Sequence, residues 1–291
     1  MRPVLVIHAG AGPRSPWRAG RAPAMRDALL EALRRGRDVL ERPDGAAIDA
    51  VQAAVEFMED GCELFNAGRG SALCADGTVE MSASIMRGSD RAAGAAALLR
   101  RTRQPIAAAR AVLERSPHVL VGGDATDAFA ARHGLEQREP GYFVTEHQRG
   151  RLADAGSDFE RGTVGAVCVD AAGELVAGTS TGGRRGQMPG RVGDTPLIGA
   201  GTWADRRVAV SCTGEGEAFI RAAAAHLLAL RVEAGATLQR AADEALADVG
   251  AVDGVGGLIA IDADGGVAMP FTSEVMNRAV WRAGEEPDAW V

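Results

Sequence analysis

Threonine, arginine and aspartate side chains are concentrated in two glycine-rich stretches in the second half of the chain. The first stretch runs from Thr179 to Asp194, and the second runs from Ser211 to Glu217. Strand-like segments precede both, which places these polar residues at strand ends beside flexible turns. Loops on a rigid scaffold often carry function. The pattern favours a site where hydroxyl groups, a guanidinium and a carboxylate meet.

A serine-hydrolase interpretation of the first stretch is disfavoured. Gly178-Thr-Ser-Thr-Gly matches the G-x-S-x-G nucleophile elbow, and Asp194 and His226 follow in a suitable order. That elbow needs a helix directly after it, whereas glycine and proline recur in the next eight residues. His226 lies inside a helical segment, where an ordinary histidine is the usual occupant. We therefore treat the match as accidental.

Dinucleotide and metal sites are weakly indicated. Gly10-Ala-Gly follows the first strand, but no third glycine completes the dinucleotide fingerprint, and a tight turn explains the sequence. The five histidines are scattered without paired Cys and His spacing. We expect no catalytic cofactor.

Composition sets the protein class. The 291 residues are 46% hydrophobic and 24% charged, without an apolar run of eighteen, which indicates one globular domain and no membrane span. A net charge of −7 argues against nucleic-acid binding. The segment from Met1 to Gly12 enters a strand directly instead of resembling a secretion signal. Four cysteines without CxxC spacing predict reduced thiols and a cytoplasmic protein.

Apolar periodicity predicts mixed helices and strands. A strand is expected at Val4 to Ile7, and helices are expected at Met25 to Leu40 and between Gly45 and Asp60. The segments Gly165 to Gly173 and Gly257 to Gly265 share an Asp-x-x-Gly turn between apolar runs, which predicts two hairpins.

Further elements are predicted in the second half. A strand is expected at Val208 to Cys212, and helices are expected at Gly216 to Leu230 and Ala241 to Val249. The first of these helices would bury Phe219, Ile220, Ala223, Leu227 and Leu230. Glu136 to Gly162 lacks periodicity and predicts one long loop of the kind that is often functional.

The chain resembles the plant-type asparaginase and isoaspartyl peptidase family of N-terminal-nucleophile hydrolases. Four motifs occur in that family's order and spacing: Gly-Thr-Val-Gly-Ala-Val from Gly162, Thr-Ser-Thr-Gly-Gly from Thr179, Gly-Arg-Val-Gly-Asp from Gly190, and Cys-Thr-Gly-x-Gly-Glu from Cys212. The resemblance extends over nearly the whole chain, from Val4 to Met269-Pro-Phe.

The resemblance implies self-cleavage between Gly162 and Thr163, which would yield an α subunit of residues 1–162 and a β subunit of residues 163–291. Thr163 would then be the nucleophile. Its free α-amine, with a pKa near ~8, would accept the hydroxyl proton. A β-branched residue that merely opens a strand is the alternative role for Thr163.

Other site residues are implied in the same way. Thr181 would hydrogen-bond the nucleophile, and Thr213 with the Gly214 N–H would form the oxyanion hole. Arg191 would bind the substrate α-carboxylate, and Asp194 would bind its α-ammonium. Gly214 and Gly216 would flank the pocket, and Asn66 would support the hydrogen bonding. Without the motif, Arg191 and Asp194 would read as a surface pair, and Thr181 and Asn66 as turn residues.

The implied fold is an α+β, four-layer αββα sandwich, assembled as a dimer of cleaved αβ heterodimers. The substrates would be L-asparagine and β-aspartyl dipeptides. A structural sodium site is expected at the carbonyls of Glu63, Phe65, Ala67 and Arg69. A sister activity of the glycosylasparaginase type and a catalytically silent homologue are the alternatives.

Four positions depart from the family pattern. Ala9 replaces a glycine, and a Cβ there would restrict positive φ and slow self-cleavage. Ser82 and Arg87 replace acidic residues, and Glu215 adds a charge between the pocket glycines. The preference between the two substrates is therefore open.

Overall fold

A computed structural model of the chain describes residues 1–60, 64–153 and 162–291. Two β-sheets lie face to face in the middle of the molecule, and helices cover their outer faces. The larger sheet has eight strands in the order β12-β11-β1-β5-β6-β2-β3-β4, and the smaller has four in the order β10-β9-β8-β7. These layers confirm the predicted αββα sandwich.

The strands are β1 Val4–Gly12, β2 Met81–Arg87, β3 Ala93–Leu99, β4 Leu120–Gly122, β5 Thr163–Val169, β6 Leu175–Thr181, β7 Thr202–Ala204, β8 Val208–Gly214, β9 Gly256–Asp262, β10 Val267–Ala268, β11 Val275–Arg282 and β12 Asp288–Trp290. Neighbouring strands are antiparallel except β3 and β4.

The helices are α1 Pro16–Ala19, α2 Ala22–Leu40, α3 Ala47–Asp60, α4 Pro105–Arg115, α5 Asp124–Arg132, α6 Glu146–Ala153, α7 Gly216–Ala222, α8 Ala224–Glu233 and α9 Leu238–Gly250. The apolar faces of α2 and α3 pack on the larger sheet, and α8 and α9 cover the smaller one. Within the described residues, no helix combines the length and apolarity needed to cross a membrane.

Three apolar layers follow from the alternation of side chains along the strands. In β1, Leu5 and Ile7 pack toward α2 and α3, whereas Val4 and Val6 pack between the sheets. Because both faces are covered, β1 and β5 are buried along their whole length. Their nearly continuous apolar sequence reflects this burial.

The Asp-x-x-Gly hairpins are confirmed as β5–β6 and β9–β10. In the first turn, Asp170 accepts hydrogen bonds from the main-chain N–H groups of Ala172 and Glu174 at 2.9 and 3.0 Å. Its other carboxylate oxygen accepts from the N–H of Ala47, at 3.0 Å. The aspartate thus closes a turn and satisfies a free N–H at the start of α3.

Two predictions of secondary structure were wrong. The helix expected from Gly216 to Leu230 is divided at Ala223, whose φ of 48° is left-handed and ends α7. This turn resets the buried face, so that Leu228 is buried and Leu230 is exposed.

The long loop expected from Glu136 to Gly162 contains a 3-10 turn at Pro140–Tyr142 and helix α6, and residues 154–161 of this segment lie outside the described residues. Helix α6 has little apolar periodicity because Gln148 is its one buried residue and hydrogen-bonds the Gly70 carbonyl at 2.8 Å.

Candidate active site

Thr163 opens β5 at the centre of the larger sheet, between β1 and β6. It stands directly opposite Thr181, the last residue of β6. Both side chains point between the sheets, and their hydroxyl oxygens are 3.2 Å apart. The predicted hydrogen bond between these two threonines is therefore present.

Thr181 connects the Thr163 hydroxyl with the preceding peptide bond. The Thr181 hydroxyl lies 3.4 Å from the Gly162 carbonyl oxygen, to which it can donate, and it accepts from the Gly183 N–H at 3.0 Å. A hydroxyl that accepts from a threonine and donates to the carbonyl of the peptide bond before that threonine is placed to polarise that carbonyl. The bond that it would polarise is Gly162–Thr163.

Asn66 holds the turn that follows β6. Its side-chain amide donates to the Gly183 carbonyl at 2.7 Å and accepts from the Ala72 N–H at 2.7 Å, and its own carbonyl accepts from the Gly182 N–H at 2.9 Å. Within the described residues no hydrogen bond joins Asn66 to Thr163. Its place is beside the threonine pair, where it fixes the backbone around Thr181.

A small cavity of about 20 Å³ lies in front of Thr163. In the uncleaved chain, with Gly162 in its wall, such a volume holds about one water molecule. Seven of the predicted residues contribute to its wall: Gly162, Thr163, Thr181, Arg191, Asp194, Gly214 and Gly216. The tertiary structure therefore brings together segments separated by as much as fifty residues in sequence.

Thr213 is not part of that wall. It is fully buried in β8, and its hydroxyl accepts a hydrogen bond from the Ala11 N–H at 3.3 Å. Gly214, the next residue, ends β8 and faces the cavity.

Arg191 and Asp194 have different surroundings, although they lie three residues apart. Arg191 forms two hydrogen bonds with Glu217, at 2.9 and 3.0 Å, and this contact lowers the pKa of the Glu217 carboxyl. Asp194 is buried, and its Oδ2 has no hydrogen-bond partner among the described residues. Burial raises its pKa to about 6, and the nearby Arg191 acts in the opposite direction. A buried carboxylate with one oxygen free of hydrogen bonds is a suitable place for a ligand cation.

Glu217 was not among the predicted site residues. It follows Gly216 in the second polar stretch, and the guanidinium–carboxylate contact explains the acidic residue there. Arg184 and Glu215 also line the cavity, so charged side chains surround the two threonines.

The departures from the family pattern lie in distinct places. The positive φ in β1 belongs to Gly10, at 93°, and Ala9 is not in the left-handed region, so the expected restriction at Ala9 was wrong. Gly10 lies inside β1, where the pairing with β11 shifts, instead of in the tight turn that was expected. Ser82 is buried opposite Thr181, whereas Arg87 pairs with Asp90 outside the cavity wall.

The serine-hydrolase motif has no catalytic geometry. Ser180 is fully buried in β6 and donates to the Glu59 carboxyl at 2.5 Å, on the sheet face opposite to the cavity. The ring of His226 packs against Trp203. Turns, not a helix, follow Gly182.

The predicted sodium turn is described in part. Glu63 lies outside the described residues, whereas Phe65 and Ala67 are buried. Along this turn, carbonyls that accept a hydrogen bond alternate with carbonyls that do not. Those of Asn66, Gly68 and Gly70 accept hydrogen bonds, and no hydrogen bond from the described part of the chain reaches those of Phe65, Ala67 and Arg69. Three main-chain oxygens thus remain for a hard cation.

Both halves of the chain match one protein family. The asparaginase family, Asparaginase_2, matches residues 1–158 and 153–291. The isoaspartyl peptidase of Salmonella typhimurium is 42% identical, over 98% of this chain and 96% of its own length. The isoaspartyl peptidase of Escherichia coli is 41% identical, over 98% and 94%. The isoaspartyl peptidase/L-asparaginase of Bos taurus is 40% identical, over 98% and 95%.

Proposed function

The chain belongs to the asparaginase family, and on that premise we propose that it is an amidohydrolase with Thr163 as its nucleophile. It hydrolyses the side-chain amide of L-asparagine and the isopeptide bond of β-aspartyl dipeptides. The observation that carries this proposal is the pairing of Thr163 with Thr181 in a cavity that also contains Arg191 and Asp194. The names of the relatives support the substrate class.

The first reaction is self-cleavage. The Thr163 Oγ attacks the Gly162 carbonyl carbon, and the Gly162–Thr163 C–N bond breaks. An ester then joins Gly162 to the Thr163 Oγ, and the new amine takes up the hydroxyl proton. Water hydrolyses the ester, which leaves a Gly162 carboxylate and a free Thr163 α-amine. The Thr181 hydroxyl supports this step, because it lies 3.4 Å from the carbonyl oxygen on which negative charge develops.

Turnover uses the amine that cleavage creates. A free α-amine with a pKa near ~8 accepts the Thr163 hydroxyl proton as the oxygen attacks the substrate β-carbonyl. The acyl-enzyme ester forms, ammonia or an amino acid leaves with that proton, and water releases aspartate. The Gly214 N–H and the Thr213 hydroxyl are proposed to stabilise the oxyanion. Gly214 lies in the cavity wall; Thr213 does not, but its hydroxyl accepts from the Ala11 N–H and so keeps its own proton for donation.

The substrate head group is bound by two opposite charges. Arg191 presents a guanidinium that can hold a carboxylate through two hydrogen bonds, as it holds Glu217. The partnerless Oδ2 of Asp194 accepts from the α-ammonium. Gly216 leaves room at this end, since a Cβ there would lie 2.8 Å from Arg191 and 2.9 Å from Asp194.

The two cleaved chains stay together. In the larger sheet, β1 to β4 belong to residues 1–162, and β5, β6, β11 and β12 belong to residues 163–291. β1 lies between β11 and β5, so separation would break pairings on both sides of a buried strand. Two such cleaved units are proposed to form a dimer.

We also propose a structural sodium ion at the turn that carries Asn66. The Phe65, Ala67 and Arg69 carbonyls would bind it, and its chemistry would be limited to holding this turn in shape. A reducing compartment such as the cytoplasm fits the buried free thiols of Cys74, Cys168 and Cys212.

Intact mass and denaturing electrophoresis test the proposal. Wild-type protein at neutral pH should yield fragments of residues 1–162 and 163–291, and the cleaved protein should release aspartate from a β-aspartyl dipeptide or asparagine. Thr163→Ala should stay intact and inactive. Thr126→Ala, which truncates an equally buried hydroxyl in α5, is the matched control and should cleave normally.

A wild-type chain that remains intact and releases no aspartate would contradict the proposal and favour a silent homologue. Cleaved protein that acts only on a glycosylated asparagine would favour the sister activity instead.

A further inference from the structure

Five buried polar side chains interrupt the apolar layer between the two sheets. They come from five strands, β1, β2, β6, β7 and β8, and all are fully buried: His8, Ser84, Thr179, Thr202 and Ser211. Val6, Val167 and Ile259 continue the same layer as ordinary core residues. Burying a polar group is unfavourable unless it is hydrogen-bonded, so five of them together require a connected arrangement.

The five side chains form one continuous row of hydrogen bonds. The Ser84 hydroxyl lies 2.8 Å from that of Thr202, and Thr202 donates to Thr179 at 2.6 Å. The Thr179 and Ser211 oxygens are 2.7 Å apart, and the Ser211 oxygen lies 3.0 Å from Nε2 of His8. The row therefore crosses from the larger sheet to the smaller one and back.

Each end of the row reaches the candidate active site. At one end, Ser84 donates to the Thr195 carbonyl at 2.6 Å, and Thr195 directly follows Asp194 in the cavity wall. At the other end, His8 stands opposite Gly165 in the pairing of β1 with β5, two residues after Thr163, and its ring lies near the Thr163 main chain. The row thus joins the nucleophile to the loop that carries the ammonium-binding carboxylate.

We propose that this row is a positioning device, in which His8, Ser211, Thr179, Thr202 and Ser84 fix the main chain of Thr163 relative to that of Asp194 and Thr195. The proposal rests on the proposed function, because it assigns the two ends of the row to the nucleophile and the substrate head group. The five side chains are positioning residues, since none of them lines the cavity.

The direction of the hydroxyl protons determines the state of His8. If Ser84 shares its single proton between the Thr195 carbonyl and Thr202 in a three-centre bond, and each later hydroxyl gives its proton to the next member, the order runs on from Thr202 to Thr179, Ser211 and then Nε2 of His8. His8 then carries its own proton on Nδ1, which has no hydrogen bond of ordinary geometry and is the nitrogen left for the Thr163 main chain. Burial lowers the pKa of His8 to about 3, so the imidazole is neutral under working conditions.

Gly165 provides the space in which the row reaches His8. It stands opposite His8 in the pairing of β1 and β5. A Cβ at Gly165 would lie 2.0 Å from the Ser211 hydroxyl oxygen and 2.5 Å from Nε2 of His8, closer than atoms can approach. Sterics therefore explain why a glycine stands two residues after the nucleophile in the Gly-Thr-Val-Gly-Ala-Val motif.

Kinetics of the cleaved enzyme separate positioning from simple destabilisation. Ser211→Ala removes the donor to His8 next to the nucleophile, so kcat should fall about tenfold, or more if the geometry shifts by as much as ~1 Å. Ser84→Ala releases the Thr195 carbonyl, so KM should rise more than kcat falls. A smaller fraction of folded enzyme lowers the apparent kcat but does not change KM. Rates are therefore given per cleaved, folded molecule.

Coupling between the two ends is the second readout. If the row acts as one unit, the double variant Ser84→Ala/Ser211→Ala should lose clearly less kcat/KM than the product of the two single-variant losses. Ser211→Thr and Thr202→Ser keep a hydroxyl and should restore most of the loss, whereas Thr202→Val should not. Thr126→Val, in the remote helix α5, is the matched control and should change neither kcat nor KM.

Nuclear magnetic resonance of protein labelled with ¹⁵N in its five histidine rings tests the row without any need for activity. The His8 signals, assigned by their loss in His8→Gln, should show the neutral Nδ1–H tautomer. They should shift in Ser84→Ala and stay unchanged in Thr126→Val.

An Nε2–H tautomer, or His8 signals that are indifferent to Ser84→Ala, would overturn the proposal. So would kinetic effects at Ser84 and Ser211 that multiply independently. If wild-type protein releases no aspartate, the proposed function fails, and the His8 signals still decide whether the row exists.

Discussion

The hydroxyl oxygens of Thr163 and Thr181 lie 3.2 Å apart because the two residues form a direct cross-strand pair at the ends of β5 and β6. Side chains of directly opposed residues point to the same side of a sheet. The pair therefore depends on the register of two strands that are joined by the Asp170 hairpin.

Replacing the Thr181 hydroxyl should slow both self-cleavage and turnover. Thr181→Val keeps the shape but removes the group between the Thr163 hydroxyl and the Gly162 carbonyl oxygen, so both rates should fall about a hundredfold or more. Thr181→Ser should retain most of each rate. The measurements are the time course of fragment formation and the steady-state kcat. Rates in Thr181→Val close to those of wild type would show that this hydroxyl has no part in either step.

Substrate affinity should fall in acid because of Asp194. Burial raises the pKa of this carboxyl to about 6, and the protonated form cannot pair with an α-ammonium group. Below pH ~6, KM should rise by up to about tenfold per pH unit. At neutral and higher pH, KM should be constant until the substrate amine loses its proton.

Steady-state kinetics from pH 5 to 8 check this prediction. Asp194→Asn should have a high KM that does not change with pH over the range. A wild-type KM that stays constant down to pH 5 would mean that Asp194 is not the ammonium partner.

The same carboxyl should reduce the stability of the uncleaved chain at neutral pH. Its pKa in the folded protein, about 6, lies above the ordinary value of 3.8. The ionised form is therefore disfavoured in the folded state, and the contribution to stability that is fully present below pH ~4 is lost as the pH rises through 6. In the uncleavable Thr163→Ala background, Asp194→Asn should be more stable at pH 7.5, by about 1–2 kcal/mol.

Calorimetry at pH 7.5 and pH 4 measures the effect as Tm. The gain should be several degrees at the higher pH and should disappear at the lower one. Asp264→Asn, at an exposed turn position, is the matched control and should change Tm little at either pH. An equal gain at both values would point to packing instead of ionisation.

A substitution in β1 should strain the backbone and lower stability at Gly10 but not at Ala9. Gly10 has a φ of 93°, a conformation that costs about 1–2 kcal/mol for residues with a Cβ, whereas Ala9 avoids that region. Gly10→Ala should therefore lower Tm and disturb self-cleavage, and Ala9→Gly should leave the cleavage rate near that of wild type. Intact mass over time and thermal unfolding give both values. A large acceleration in Ala9→Gly would revive the view that Ala9 limits maturation.

Local patterns in the sequence predicted much of the architecture. Two of the three helices in the first sixty residues, the two Asp-x-x-Gly hairpins and the strand at Val208 were predicted because their apolar residues face a covered layer; the four-residue helix α1 was not predicted. The motifs also selected segments that line a common cavity. Thr163, Thr181, Arg191, Asp194, Gly214 and Gly216 meet at one cavity.

Other features depended on contacts that local sequence does not contain. Helix α6 has a polar sequence in which the one buried residue is Gln148, so no apolar pattern indicates it. Ala223 adopts a left-handed conformation, which the residue type alanine does not predict. The pairing of Arg191 with Glu217 joins a turn after β6 to the start of α7.

The amino-acid sequence alone selected the segments that line the cavity and determined which chemistry their side chains can perform, since hydroxyl, guanidinium and carboxylate groups are properties of single residues. Only the tertiary structure decided how they act together. The packing of two sheets placed His8, Ser211, Thr179, Thr202 and Ser84 in one row and buried Asp194 with one carboxylate oxygen that accepts no hydrogen bond from the described residues. Hydrogen bonds and desolvation depend on distances between distant segments, and those distances exist only once the layers have closed.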